Sequence, residues 1–265
     1  VRLTVIGCTG SMSGPDAAAS SYLVQAEGPG ADGAERTWSV ILDLGPGAMG
    51  QMLNHVDPRD IDAIAVSHLH ADHMVDLIGM QVYRRWHPDG PLPPVDVVGT
   101  PGGMERTRAV GGDGEDEDYA DVLTFRDLTP GTPFTVGPFT IDVFPAWHPV
   151  PAFGIRVTGP SDVDAARRVT LGYTGDTDTC EGIEQMSDGL DLLLSEAAFQ
   201  EDRDTVRGIH LTGRRAGELA AGGRVGRLVL THIQPWTDKQ RVAAEAAERF
   251  DGPIDLATPG ATWAI

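Results

Sequence analysis

Lysine is nearly missing from this chain. Lys239 is its single example among 265 residues, and 39 acidic side chains against 20 lysines and arginines leave a formal charge of -19. A protein that grips a polyanion neutralises phosphates with Lys and Arg. The arginines here are scattered or at most paired, as in Arg84-Arg85, Arg167-Arg168 and Arg214-Arg215. A long nucleic acid is therefore not the expected partner. Cysteine is scarce too: Cys8 and Cys180 cannot supply a disulfide framework, and neither sits in a CxxC pair. Apolar runs such as Leu190–Leu194 and Leu228–Leu230 are far too short to cross a bilayer. The opening Val1–Ile6 reads as a strand and lacks the apolar core of a signal peptide. A cytoplasmic location without a membrane partner is expected. No linker, repeat or composition break divides the chain, so a single domain over 1–265 is expected, large enough to bury a substantial core.

What is present is concentrated in eight residues. Positions 67–74 read Ser-His-Leu-His-Ala-Asp-His-Met, just after the apolar run Ala63-Ile64-Ala65-Val66. They hold three of the chain's 8 histidines. In an extended segment, residues two apart project to the same side, so His68 and His70 can grip one ion together. A tight turn then brings Asp72 and His73 back toward the same spot, where they can hold a second. Imidazole and carboxylate suit zinc, with manganese or iron(II) as alternatives.

Along the chain, short β-rich runs alternate with helical ones. Strands are predicted at Leu3–Ile6, Tyr22–Ala26, Trp38–Leu44, Ala63–Val66, Val95–Gly99, Phe139–Pro145, Gly154–Thr158, Val169–Tyr173, Leu190–Ser195, Arg227–Leu230 and Ile254–Ala257. Helices are predicted at Met49–His55, Met74–Trp86, Gly102–Val110, Gly213–Ala221 and Asp238–Phe250. Thr237 is the expected N-cap of the last, with Val242, Ala243, Ala246 and Phe250 on one face. The pattern suggests an α/β sandwich, two sheets packed together with helices outside. The acidic run at 112–118 reads as a solvated loop. His55 and His87 read as exposed turn residues.

A two-ion centre needs more ligands, and other strand ends supply them. His148 follows Phe144-Pro145-Ala146-Trp147, Asp176 follows Val169–Tyr173, and His232 closes Leu228-Val229-Leu230. One ion would take His68, His70 and His148, the other Asp72, His73 and His232, with Asp176 bridging. Any one of these residues alone could be a satisfied core or loop residue, and for a lone histidine that is the usual case; together they point to metal.

This ordered set resembles the metallo-β-lactamase superfamily and, within it, the branch of tRNase Z and related phosphodiesterases. The discriminating features are an aspartate at 176, Ser195-Glu196-Ala197-Ala198, and His210-Leu211-Thr212. The opening Gly7-Cys8-Thr9-Gly10-Ser11 and the segment Thr231–Thr237 are similar to actinobacterial cyclic nucleotide phosphodiesterases of that branch. The resemblance implies an αβ/βα four-layer sandwich, two divalent ions, and hydrolysis of a small phosphodiester such as cyclic AMP by water activated between the ions. It implies a homodimer as well. By the same likeness, Asp72 orients the attacking water, His210 protonates the leaving alkoxide and Glu196 holds that imidazole.

The tRNase Z enzymes carry a long arm between the ligands matching His148 and Asp176; here only residues 149–175 lie between them. With the acidic charge, this makes tRNA 3′-end cleavage the weaker reading. Other ester hydrolysis and a non-catalytic metal-binding protein complete the alternatives. Asp43, ending Val40-Ile41-Leu42, is either a support for a ligand histidine or a turn residue. Ser11, Met12 and Ser13 either rim the metals or make a plain turn. Trp236 either stacks on a base or packs the last helix.

Overall fold

The computed structural model describes residues 1–164 and 166–265. In the first half of the chain lie β1 (Arg2–Thr9), β2 (Ala18–Ala19), β3 (Ser21–Pro29), β4 (Glu35–Leu42), β5 (Ala63–Val66), β6 (Val95–Gly99) and β7 (Leu123–Asp127). The second half supplies β8 (Phe134–Val136), β9 (Phe139–Pro145), β10 (Phe153–Pro160), β11 (Arg168–Tyr173), β12 (Leu192–Glu196), β13 (Leu228–Thr231) and β14 (Ile254–Leu256). A last strand, β15 (Thr262–Ala264), crosses back and pairs antiparallel with β1. One sheet runs β15-β1-β3-β4-β5-β6-β7 with β2 beside β1, and the other β14-β13-β12-β11-β10-β9-β8.

Helices α1 (Ala48–Met52), α2 (Ala71–Met74), α3 (Leu77–Arg85) and α4 (Gly103–Gly111) accompany the first sheet, and α5 (Glu181–Ser187), α6 (Gly213–Gly222) and α7 (Lys239–Ala247) the second. Three apolar layers hold the two sheets and their two helical layers together. Between the sheets lie Leu3, Val5, Val24, Val40 and Leu42 against Phe139, Ile141, Val157 and Leu171. Ile41, Ile64, Met74, Leu77 and Met80 seal the first helical layer, and Ile183, Leu193, Leu219, Val242 and Ala246 the second. The architecture is the four-layer αβ/βα sandwich expected from the sequence. Its core strands show why. In β5 the alternate residues Ala63 and Ala65 face the other sheet while Ile64 and Val66 face the helices, so all four are buried.

Strands β4-β5-β6 are parallel, as are β11-β12-β13-β14. The loops leaving their carboxyl ends converge where the sheets meet, and the Phe153 N–H donates to the Ser67 carbonyl at 2.9 Å there. Several predicted elements need correction. The Trp38–Leu44 strand stops at Leu42, because Asp43 takes a left-handed φ of 57° that no strand accommodates. Met74–Trp86 is two helices; Asp76 breaks the run, and its carboxylate accepts from Met49 N at 2.8 Å. Thr237 is not the N-cap of α7. Asp238 is, accepting from Gln240 N and Arg241 N, while the Thr237 hydroxyl turns inward to Gln234. His87 is covered, not exposed: its side chain is 6% accessible, edge-on to Tyr83 and 3.0 Å from Arg59 Nη2. The run at 112–118 is a loop, though Glu117 pairs with Arg85 at 2.8 Å. Among the described residues, no helix is long and apolar enough to cross a membrane.

Candidate metal centre

The histidine-rich segment leaves β5 in extended form and turns into α2 at Ala71, which swings Asp72 and His73 back over His68. Three groups that could hold a cation result: His68, His70 and His148; Asp72, His73, Asp176 and His232; and Glu196 and His210 with the same His232. In the first, His70 Nδ1 lies 3.1 Å from both His68 Nε2 and His148 Nε2. In the second, His73 Nε2 is 3.2 Å from His232 Nε2 and 3.4 Å from Asp72 Oδ2. Asp176 joins them. Its Oδ1 faces His73 and His232 at 3.2 and 3.3 Å, and its Oδ2 faces His68 at 3.8 Å. All seven residues predicted from sequence are brought together in the predicted grouping.

Whether these groups fit cations can be tested on their chemistry. Asp176 Oδ1 is buried without a hydrogen-bond partner. Nitrogen lone pairs that would repel crowd toward one another, and Asp43, Asp72 and Asp176 place anionic charge in the same closed space. Burial and the His73 charge push His68 below the ordinary imidazole range. Burial acts likewise on His73, but the Asp176 and Asp43 carboxylates outweigh it and raise its proton affinity well above that range. Burial would raise Asp72 and Asp176, yet the facing imidazoles hold both far down. Buried carboxylates that stay ionised, facing a ring of imidazole nitrogens, suit divalent cations here.

The ring orientations are set from behind. Asp43 is fully buried and accepts four hydrogen bonds: Ser67 N at 2.7 Å, Ser67 Oγ at 2.8 Å, His73 Nδ1 at 2.6 Å and Tyr173 OH at 2.6 Å. With Nδ1–H engaged, His73 presents its Nε2 lone pair to the cluster. His148 is set the same way, its Nδ1–H donating to the Ile209 carbonyl at 2.9 Å. Asp43→Asn should weaken metal binding by about 10–100-fold in a chelator competition. Unchanged affinity would show that Asp43 serves only the fold. Close backbone approach matters as well: a Cβ on Gly10 would lie 2.3 Å from the His232 carbonyl oxygen.

Beside the second cluster, Glu196 ends β12 fully buried. Its Oε1 accepts from His210 Nδ1 at 3.0 Å and from Thr177 N at 3.0 Å, and its Oε2 from Ala198 N at 3.0 Å. His210 precedes α6 but does not cap it; Thr212 does, accepting from Arg215 N. Burial opposes charge on His210, yet the Glu196 carboxylate, its hydrogen bond and Asp176 push the imidazole up to about 9.

Residues 38–233 match the beta-lactamase superfamily domain. The chain belongs to that superfamily. An uncharacterized protein of Mycobacterium leprae is 36% identical over all of this chain and 89% of its own length. A probable metallo-hydrolase of Bacillus subtilis, YhfI, is 29% identical over 99% of both chains. Its crystal structure superposes with a TM-score of 0.84, at 27% identity over 99% of this chain and 98% of that one. The short form of human tRNase Z shares the fold, with a TM-score of 0.73 at 21% identity over 100% and 99% of the two chains.

On this superfamily scaffold the rim around the metal residues is built by two loops. Gly10 packs on His232 and Gly14 on Thr9 and Pro235, while Ser11, Met12 and Trp236 are exposed. Trp236 is 65% exposed. Ser11 is exposed with a φ of 65°, and its N–H lies 3.4 Å from His232 Nε2. Ser13 spends its hydroxyl on the Pro46 carbonyl at 2.6 Å, a bond that holds the loop. Sequence reasoning missed Tyr173, Thr177 and Asp178. Tyr173 reaches Asp43 from 130 positions away, a relation that no local spacing signals.

Proposed function

We propose that the protein is a metal-dependent phosphodiesterase acting on a small substrate, a 3′,5′-cyclic nucleotide fitting best. Two divalent cations held by the clusters would supply Lewis acidity and a water of lowered pKa. The chain's own groups divide the remaining work. Asp72, with its Oδ2 3.4 Å from both His73 and His232, orients the attacking water. His210, protonated on the strength of Glu196, donates from Nε2 to the departing oxygen.

That buried Glu196–His210 pair, 3.0 Å apart and beside His232 at the edge of the seven-residue cage, is the observation that carries the reading. Ester oxygens leaving from phosphorus need a proton, and a positioned imidazolium provides one. Relatives named ribonuclease Z, such as that of Bradyrhizobium at 29% identity, support phosphorus chemistry. A small substrate is favoured by the charge of -19 and by the short connection between His148 and Asp176, which holds β10, β11 and their link.

The test is a substrate panel with zinc- or manganese-loaded protein: bis-p-nitrophenyl phosphate, cyclic AMP, cyclic GMP, a precursor tRNA and a carboxylic ester. Turnover of the first and of a cyclic nucleotide, with the tRNA left intact, is the expected pattern. Cleavage of the tRNA alone would replace this reading with 3′-end processing. Hydrolysis of the carboxylic ester alone, or of nothing at full metal content, would sink it.

A further inference from the structure

The stretch carrying His210 is tied down by a buried carboxylate that the chemistry above leaves unused. Asp178 is fully buried two positions beyond Asp176. Its Oδ2 accepts from Arg207 Nε at 2.5 Å and Gly208 N at 2.8 Å. Its Oδ1 accepts from Arg207 Nη2 at 3.0 Å, Arg215 Nη1 at 2.6 Å and Thr179 N at 2.7 Å. Arg215 Nη1 also donates to the His210 carbonyl at 3.1 Å, so one guanidinium joins Asp178 to the backbone of His210.

The same carboxylate sits on the segment that holds His148. Asp178 N donates to the Trp147 carbonyl at 2.9 Å, and Trp147 N to Thr177 Oγ1 at 3.0 Å. Gly208, at a φ of 77°, lies so close to the Trp147 indole that a Cβ would come within 2.8 Å of it. Three segments therefore meet at Asp178: the one leaving β9 with His148, the one leaving β11 with Asp176, and the approach to α6 with His210.

Between Glu201 and Ile209 the chain has no helix or strand, and much of it is exposed. Ordering such a loop costs backbone entropy at every residue. Yet a proton donor misplaced by ~1 Å loses about 10²-fold in rate. We propose that Asp178 is the positioning residue for the leaving-group acid, holding the His210 segment in register with the metal-bridging loop through Arg207 and Arg215. This rests on the reading of His210 as that acid. Asp178 itself touches neither substrate nor metal.

A positioning role has a signature that a structural one lacks. Phenol is a much poorer leaving group than p-nitrophenol, so diphenyl phosphate depends on the proton more than bis-p-nitrophenyl phosphate does. In the metal-loaded protein, Asp178→Asn should lower kcat on diphenyl phosphate by about tenfold or more and on bis-p-nitrophenyl phosphate by less than about threefold. KM and bound metal should stay unchanged. Arg207→Ala, at a half-exposed side chain that leaves folding intact, should shift the ratio in the same direction by less. Equal losses on both substrates, a loss of bound metal, or a flat response overturns the proposal; should Asp178→Asn not fold, a flat response from Arg207→Ala does so alone. His210→Ala is the control. If it too shows no leaving-group dependence, the acid reading has failed; if it does and the Asp178 and Arg207 variants do not, only the positioning role has.

Discussion

Exchanging His210 for alanine should lower kcat on an alkoxide-leaving substrate by about 10²–10⁴-fold, the usual worth of a positioned general acid. The metals should stay, because the exchange removes none of the seven predicted ligands; the group that His210 forms with Glu196 shares only His232 with them. Its Nδ1–H is committed to Glu196 at 3.0 Å, which leaves Nε2 as the proton-bearing edge toward substrate. Glu196→Gln should follow in the same direction, since the amide keeps the size but surrenders the charge that holds the proton. Steady-state kinetics beside a metal assay read the outcome. If bound metal falls in step with activity, His210 is a ligand and the assigned role is wrong.

Asp176→Ala should be more damaging still. Its carboxylate is the group shared by both clusters, with Oδ1 on His73 and His232 and Oδ2 on His68. Losing metal activation is worth several kcal/mol, on the order of 10³-fold or more in rate. Metal analysis should show fewer than two ions per chain. A thermal readout is independent of activity: a ligand present at about 100 times its Kd stabilises the native state by about 2.7 kcal/mol. Zinc should therefore raise the melting temperature of the original protein over its chelator-treated form, and raise it less in the variant. A variant that keeps two ions and the full thermal shift would refute the bridge.

The metal residues were readable because their spacing is local or lies at strand ends. His68, His70, Asp72 and His73 fall within six positions, and the i,i+2 geometry of an extended segment puts the first pair on one side. Strand ends followed by His148, Asp176 and His232 were readable for a related reason, since apolar runs flanked by polar turns mark themselves. Helix α5 was not: Ile183 and Met186 are its two buried apolar residues, too few for a period to emerge. Strands β7, β8 and β15 were lost likewise, each being short or half-exposed at a sheet margin. The cap of α7 turned on one residue, because Thr and Asp are both competent and only the neighbouring Gln234 decides which faces inward.

Composition and spacing by themselves pointed to the sandwich of two sheets and to the seven residues that the fold brings together, because each depends on periodicity or on spacing along the chain. Only the tertiary structure decided what stands behind those residues. Asp43 gathers Ser67, His73 and Tyr173, and Asp178 gathers Arg207, Gly208 and Arg215, from positions 24 to 130 residues apart in sequence. A buried carboxylate must find donors wherever the fold brings them, and no pattern along one strand or helix records which distant hydrogen will arrive.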